Sequence, residues 1–501
     1  MNSPKSWIRG LPVGLLWAAS LLVIAYALYQ NYTRFISLIP YDNWEAGLNV
    51  VSWRVAHGES MYGSMTQPGG LEPGFYTPLM ACLLSLIFHF AHFSLFYGRT
   101  ISLVAGLGFF LIFLRVFLPG RPRTEVVFAA ALLLAADLQL TGLWTSPRND
   151  IGMLFFGLCY LTATARAMAT GRPGWLAAAL GLFALAFWWK QTAVFLAPVP
   201  LVVAVLTRPR ISWTLIVAVT GPFVVFALSL LGARLLAPDM YQMIFVIPSR
   251  YAISPRVVAR YLLGMLDFLP LVLLSLHFCL QTKTDLWRSS KLLPWLAATA
   301  LVALPTGLAA AGKTGGGTNS LSFFLYAGYG LVIVCLPHLF QRIRSPEEPF
   351  GARLGLAAIF SAYLVILPLN VLHTPSRVDE HRWAGDAGRP VVMDFARHFP
   401  GKLVSPQDPT IPLETKGYAG VSLVLEWDHC LWKWPLPKVL KEIDEADCVV
   451  TCGTNGSWRQ WPFDDMDQIL SQRHYHSFQT NALAGSEYRI WLRDNPGPVQ
   501  K

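Results

Sequence analysis

Apolar runs of about 20 residues, enough to cross a bilayer as helices, recur along the first three quarters of the chain. They predict spans at roughly 11–31, 100–118, 125–144, 151–165, 175–189, 191–207, 212–233, 261–280, 292–311, 319–340 and 354–372. The alternation of apolar and polar residues that marks a transmembrane barrel is absent. A further run at 76–96 is also long enough to span. The first run follows Lys5 and Arg9, is too long for a signal peptide and lacks a small-residue cleavage site, so a retained anchor is expected. From about residue 373 the pattern turns mixed: PVVMDFARHF and PLPKVLKEIDEA read as helices, and DCVVTCG, YHSFQT and YRIWLR as strands. The expected fold is mainly α: a polytopic helical membrane protein of about 11 spans (1–372) with a small C-terminal extracytoplasmic α/β domain (373–501). No internal repeat is visible.

Composition agrees. The chain has 501 residues, 54% hydrophobic and only 14% charged, with mean hydropathy +0.45, which excludes an ordinary soluble protein. The net charge of +10 is no nucleic-acid footprint. Before residue 373 there are 25 basic and 12 acidic residues; after it, 14 and 17. The excess lies in short loops, as the positive-inside rule requires. If 76–96 does not cross, Lys5, Arg9, Arg115, Arg121, Arg123, Arg166, Arg172, Arg208, Arg210, Lys283, Arg288, Lys291, Arg342, Arg344 and Arg353 all fall on the cytoplasmic side. Arg99, Arg148, Lys190, Lys313 and the 234–260 loop fall outside. If it crosses, the basic clusters after it face out. The rule therefore makes 76–96 interfacial or re-entrant, and His89 and His92 suit a segment near water. The expectation is a multi-pass protein of the inner or plasma membrane, N-terminus cytoplasmic, tail extracytoplasmic. Of seven cysteines, four lie in apolar segments; Cys430, Cys448 and Cys452 lie in the tail, where a disulfide is possible but not demanded. No metal-ligand spacing occurs.

The candidate chemistry gathers on the outer side. Of the twelve acids before residue 373, Asp42, Glu45, Glu59 and Glu72 fall in one early loop, and carboxylates are expensive near lipid. Asp42 could take a proton from a hydroxyl as general base; a loop acid or helix cap is the plainer alternative. Glu45 lies one helical turn on and can share its face. Glu59 and Glu72 read as loop acids. Arg148 and Asp150, in TSPRNDIGM, could meet a phosphate through the guanidinium or be a simple loop pair. Lys190, in FWWKQTAVF, needs an anion partner, access to water or a snorkelling path. Lys313 opens KTGGGTNS, a possible anion nest without the Walker pattern. Arg250, Arg256 and Arg260, with Tyr241, Tyr251 and Tyr261, could grip a phosphate or touch lipid headgroups. Asp137 lies within a span as a buried polar link, and Asp267 near a helix end.

The order of these motifs resembles GT-C superfamily glycosyltransferases. A first span leads to a long outer loop opening with Asp42. GESMYG (Tyr62) and FYTPL (Tyr76) follow, then Arg148-x-Asp150 ahead of a span, Lys190-Gln191 inside a hairpin, and a Gly-rich segment ending in Asn319. The nearest likeness is the protein-mannosyltransferase-like branch, over about 1–372. It implies inverting transfer of a sugar from a polyprenyl-phosphate-linked donor to a lipid, glycan or protein acceptor on the outer face, beside membrane lipid and with no nucleic acid. It implies Asp42 as general base, with Asp150 in the second acidic position and Glu45 beside the first. Arg148, Lys190, Arg250, Arg256, Arg260 and Lys313 are candidates for the donor phosphate; Tyr62, Tyr76, Gln191 and Asn319 for substrate. Some members pair two acids at the first position, whereas Asn43 follows Asp42 here. A metal-independent mechanism without cofactor is therefore favoured, a divalent metal staying open. Two other classes compete. A transporter or flippase would need polar residues through the midplane and often two related halves. A non-catalytic assembly subunit would use the tail to bind partners.

Overall fold

The computed structural model describes residues 5–37, 40, 43–62, 76–140, 142–266, 268–281, 291–313, 316–369, 388–430, 436–452, 463–478, 480–486 and 488–494. Asp42, Glu72 and Asp267 lie outside these. Every predicted span has a helical counterpart. The helices are α1 (Lys5–Ile36), α2 (Asn43–Ala56), α3 (Leu79–Phe90), α4 (Leu95–Phe117), α5 (Arg123–Gln139), α6 (Asn149–Thr170) and α7 (Pro173–Trp189). A 3₁₀ segment (Gln191–Leu196) leads to α8 (Val199–Thr207) and α9 (Trp213–Leu236). After a short helical stretch at 238–249, with a π segment over Gln242–Val246, come α10 (Pro255–Met265), α11 (Leu269–Gln281), α12 (Leu293–Ala311), α13 (Ser322–Arg344) and α14 (Phe350–Leu369).

Seven of these helices are long and apolar enough to cross a membrane, and α10 with α11, bent by 44°, make an eighth crossing if taken together. The other predicted spans are shorter: α5 and α7 have 17 residues each, roughly 26 Å at 1.5 Å per residue. The run at 76–96 is broken. Its helix α3 has 12 residues, roughly 18 Å against a hydrocarbon core of about 30 Å, and Ser94 caps the start of α4 by accepting from the Phe96 amide. α3 packs on α2, where the Trp53 ring meets Phe88 and Phe93.

Burial follows sequence character. α5 (RTEVVFAAALLLAADLQ) is apolar nearly all round, so it sits at the centre; Ala131, Leu132, Leu133, Ala135 and Ala136 are fully buried. α9 keeps Phe223, Val224, Leu228, Leu231 and Leu235 exposed, which suits contact with lipid rather than water. Several of the polar groups inside are paired across the bundle. Asn31 donates to Asp137 (3.1 Å) and accepts from Thr145 (2.9 Å), and Tyr329 donates to Gln139 (2.6 Å). The α6–α7 hairpin is specified locally: Gly171 takes the left-handed C-cap (φ 68°) and Pro173 opens the next helix.

The tail holds α15 (Gly388–His398), β1 (Leu403–Val404), α16 (Thr410–Lys416), α17 (Leu423–His429), α18 (Pro437–Glu445), β2 (Cys448–Thr451), α19 (Phe463–Gln472), β3 (Tyr475–Phe478) and β4 (Arg489–Arg493). The sheet order is β1-β2-β4-β3, with β1 parallel to β2 and the other pairs antiparallel. Alternation splits its faces: Val449 and Trp491 enter one small core, Cys448, Val450 and Ile490 the other. Buried Arg389 ties α15 to Asp408 (3.0 Å) and Glu414 (2.9 Å). The tail seats on α2. Arg54 donates to the Gly420 carbonyl (2.8 Å), and Val51, Val424, Leu425, Met243 and Ile247 form one cluster.

Candidate active site

The α6–α7 hairpin brings a carboxylate and an amine together inside the protein. Asp150 lies in the first turn of α6. Lys190 caps α7 in an extended conformation (φ −153°, ψ 125°), so the helix breaks there and hands over to the 3₁₀ turn. The two ends meet because residue 152 is glycine: a Cβ there would lie 2.0 Å from the Trp189 ring. Lys190 Nζ donates to Asp150 Oδ1 at 2.5 Å, and both side chains are buried. Asn319 Nδ2 donates to the other oxygen of Asp150 at 3.0 Å. Asn149 fixes the same corner by donating to the Trp189 carbonyl (2.9 Å). A buried acid is thus paired and hydrogen-bonded, which makes its burial tolerable.

Lys190 and Asn319 of this triad line a cavity of about 570 Å³, with Asp150 behind them. Lys190, Gln191, Lys313, Asn319 and Ser320 supply its polar groups; Trp44, Tyr76, Phe195 and Tyr251 supply aromatic faces. The Lys190 ammonium lies 5.2 Å from the centre of the Tyr76 ring, within cation–π range. Tyr62 holds Tyr76 by donating from its hydroxyl to the Tyr76 carbonyl (2.6 Å), and burial keeps the Tyr62 phenol well above its usual pKa. Lys313 Nζ donates to the Pro248 carbonyl (2.9 Å). Burial pushes its pKa down, a cost that a bound anion would offset. Gly316 packs back on α12, where a Cβ would sit 2.3 Å from the Ala310 carbonyl oxygen, and its amide donates to the Lys313 carbonyl. That amide therefore closes a turn rather than an anion nest.

No family model matches the sequence, and no curated protein matches it. The structure itself is similar to crystal structures of ArnT from Cupriavidus metallidurans. In the apo state the TM-score is 0.55 at 13% identity, with 94% of this chain and 97% of that one covered. Bound to undecaprenyl phosphate it is 0.53 at 14% identity, with 95% and 99% covered. The archaeal oligosaccharyltransferase AglB from Archaeoglobus fulgidus, in complex with an inhibitory peptide and a dolichol-phosphate, gives 0.50 at 11% identity, with 100% and 76% covered. The fold is GT-C. The resemblance seen in the motif order thus holds in three dimensions, without singling out the mannosyltransferase-like branch.

Within the GT-C fold the predicted residues separate. Lys190, Gln191, Lys313, Asn319 and Tyr76 line one cavity; Asp150 backs it and Tyr62 braces it. Glu45 is elsewhere. It is fully buried and takes Arg99 Nε and Nη2 at 2.7 and 3.2 Å, so its carboxylate joins α2 to α4 instead of facing the cavity. Asp150 likewise has both oxygens engaged, one by Lys190 and the other by Asn319. Arg148 is half-buried at the start of α6 and Arg250, Arg256 and Arg260 are exposed; none lines the cavity, although Tyr251 does. Trp44, Phe195 and Ser320 were not singled out from sequence. For Trp44 there was a signal, since it stands two residues after Asp42.

Proposed function

We propose that this protein is a membrane glycosyltransferase that moves a sugar from a polyprenyl-phosphate-linked donor to a hydroxyl of a lipid, glycan or protein acceptor. The observation that carries the reading is the hydrogen-bonded Lys190–Asp150–Asn319 triad, two of whose members line an aromatic cavity in a GT-C fold. Solved neighbours with that fold are described with undecaprenyl phosphate and dolichol-phosphate bound. The acceptor oxygen attacks the anomeric carbon as the carbon–phosphate-oxygen bond breaks, inverting the centre. The hydroxyl proton passes to Asp42, and the electron pair leaves with the polyprenyl phosphate. Lys190 and Lys313 face the charge that grows on that phosphate, and such preorganised cations stabilise the transition state more than the ground state. Asp150 and Asn319 hold Lys190 in place. Tyr76 and Trp44, with ring centres 5.9 Å apart, offer a sugar-stacking wall. We assign Arg148 to the donor side and Arg250, Arg256 and Arg260 to headgroup contact. The single acid at 42, followed by Asn43, suits a metal-independent reaction.

The orientation belongs to the same proposal. The cavity end carries the start of α6, the end of α7, α2 and the seat of the tail. Among the described residues, Arg115, Arg166, Arg172, Arg208, Lys291, Arg344 and Arg353 flank the opposite helix ends. By the positive-inside rule that end is cytoplasmic, and the cavity and tail are outside. The test is transfer of labelled sugar from polyprenyl phosphate in reconstituted membranes. Asp42→Asn keeps the side-chain shape without a base and should lower turnover by about 10²–10⁴. Near-normal transfer by Asp42→Asn would refute the assignment of the base.

A further inference from the structure

A second cavity opens at the other end of the helical body. Its volume is about 1660 Å³, beyond the ~300–1,000 Å³ of ordinary small-molecule sites. It runs between the C-terminal parts of α4, α6 and α8 and the N-terminal part of α12, and reaches α13. Phe113, Leu158, Leu206 and Phe323 make its walls apolar, while Arg115, Arg166 and Lys291 stand exposed at its mouth. No acid is among the described residues that line it. Arg166 is steadied over the Trp175 ring at 4.8 Å. Asp150 and Arg166 lie on one helix, roughly 24 Å apart along its axis, and among the described residues none lines both cavities. This cleft is therefore distinct from the candidate active site.

We propose that the cleft binds an anionic phospholipid from the leaflet opposite the candidate active site. The acyl chains lie against Phe113, Leu158 and Phe323, and the headgroup phosphate sits among Arg115, Arg166 and Lys291. Basic residues at this end alone would say little, because the positive-inside rule puts them at many loops. The informative feature is their convergence, with no acid among the described lining residues, on a hydrocarbon-lined slot too large for a small polar ligand. A neutral lipid would not need the three cations, and free phosphate would not need the apolar volume.

The test is native mass spectrometry of the full chain in neutral detergent with equal phosphatidylglycerol and phosphatidylcholine. The wild type should retain phosphatidylglycerol roughly tenfold over phosphatidylcholine, as several basic groups beside an anionic headgroup predict. The Arg115→Gln/Arg166→Gln/Lys291→Gln variant, altered only at exposed positions, should lose the preference with its melting temperature kept. Ala165→Trp, which fills the cleft and spares the cations, should lose the bound lipid. Equal retention of both lipids by the wild type, or phosphatidylglycerol retention unchanged in both variants, overturns the proposal. So does displacement by inorganic phosphate, or preference for undecaprenyl phosphate over phosphatidylglycerol. No sugar transfer is read, so the outcome is independent of the proposed reaction.

Discussion

Replacing Arg99 with Met separates structural from chemical roles among the buried charges. The guanidinium is fully buried and holds both oxygens of Glu45, at 2.7 and 3.2 Å. Its Nη1 donates to the carbonyls of Phe35 (3.1 Å) and Ser37. One side chain thus fastens α4 to α2 and to the end of α1, all at the cavity end. Methionine keeps much of the length but removes the bidentate partner of a buried carboxylate. Breaking such a pair from one side costs about 3–5 kcal/mol. The two stripped carbonyls add about 1 kcal/mol or more each. The expected loss, about 5 kcal/mol or above, is comparable to the ~5–15 kcal/mol stability of a whole domain.

The companion variant is Glu45→Leu/Arg99→Met. Exchanging a buried ion pair for apolar side chains is often neutral or stabilising, so the double variant should regain most of what Arg99→Met loses. Unfolding of Arg99→Met, Glu45→Leu and the double variant in detergent, followed by tryptophan fluorescence, supplies the three differences, and their non-additivity measures the pair. An Arg99→Met variant within ~1 kcal/mol of wild type would refute the fastening role. So would a Glu45→Gln variant that folds normally but has lost transfer, because Glu45 would then belong to the chemistry.

Three further outcomes follow from the packing. Gly152→Ala sets a methyl against the Trp189 ring and should cost about 1–3 kcal/mol, with transfer falling further because Lys190 adjoins that ring; unchanged melting and transfer would contradict the close approach. Leu425→Asp places a carboxylate in the cluster joining the tail to α2 and the 243–251 segment, so limited proteolysis should release the tail faster than in wild type. On a cysteine-free background, a membrane-impermeant thiol reagent should label a cysteine in the tail but not Arg344→Cys in intact cells; the reverse pattern would invert the proposed orientation.

Much of the fold was legible because one-dimensional signals govern it. Apolar length marked the long helices of the membrane part, and alternation marked three of the four strands. β1 has only two residues, too few for a period to show. The bend between α10 and α11 had a cue in Gly264 and Pro270, but the unbroken apolar run over 261–280 hid it. The pairings were hidden for another reason: Glu45 meets Arg99 across 54 positions, Asp150 meets Lys190 across 40 and Asn319 across 169, and Arg54 meets Gly420 across 366. Topology alone brings such residues together. Read singly, Asp150, Lys190 and Asn319 received three separate roles, whereas the fold makes them one hydrogen-bonded unit.

The charge pattern nevertheless held a usable signal. Loop arithmetic left four short-loop cations on the side that the positive-inside rule depletes: Arg99, Arg148, Lys190 and Lys313. Each is an exception that needs a local cause, because a cation there gains nothing from the rule and costs energy if buried. Arg99 and Lys190 prove to be the partners of the buried acids Glu45 and Asp150. Lys313 lines the cavity and Arg148 is next but one to Asp150 in the chain. In a chain with so few acids before residue 373, misplaced cations and buried carboxylates explain each other. Of the four, Lys190 and Lys313 line the cavity, so the proposed phosphate contact rests on them rather than on the exposed arginines of the 250–260 segment.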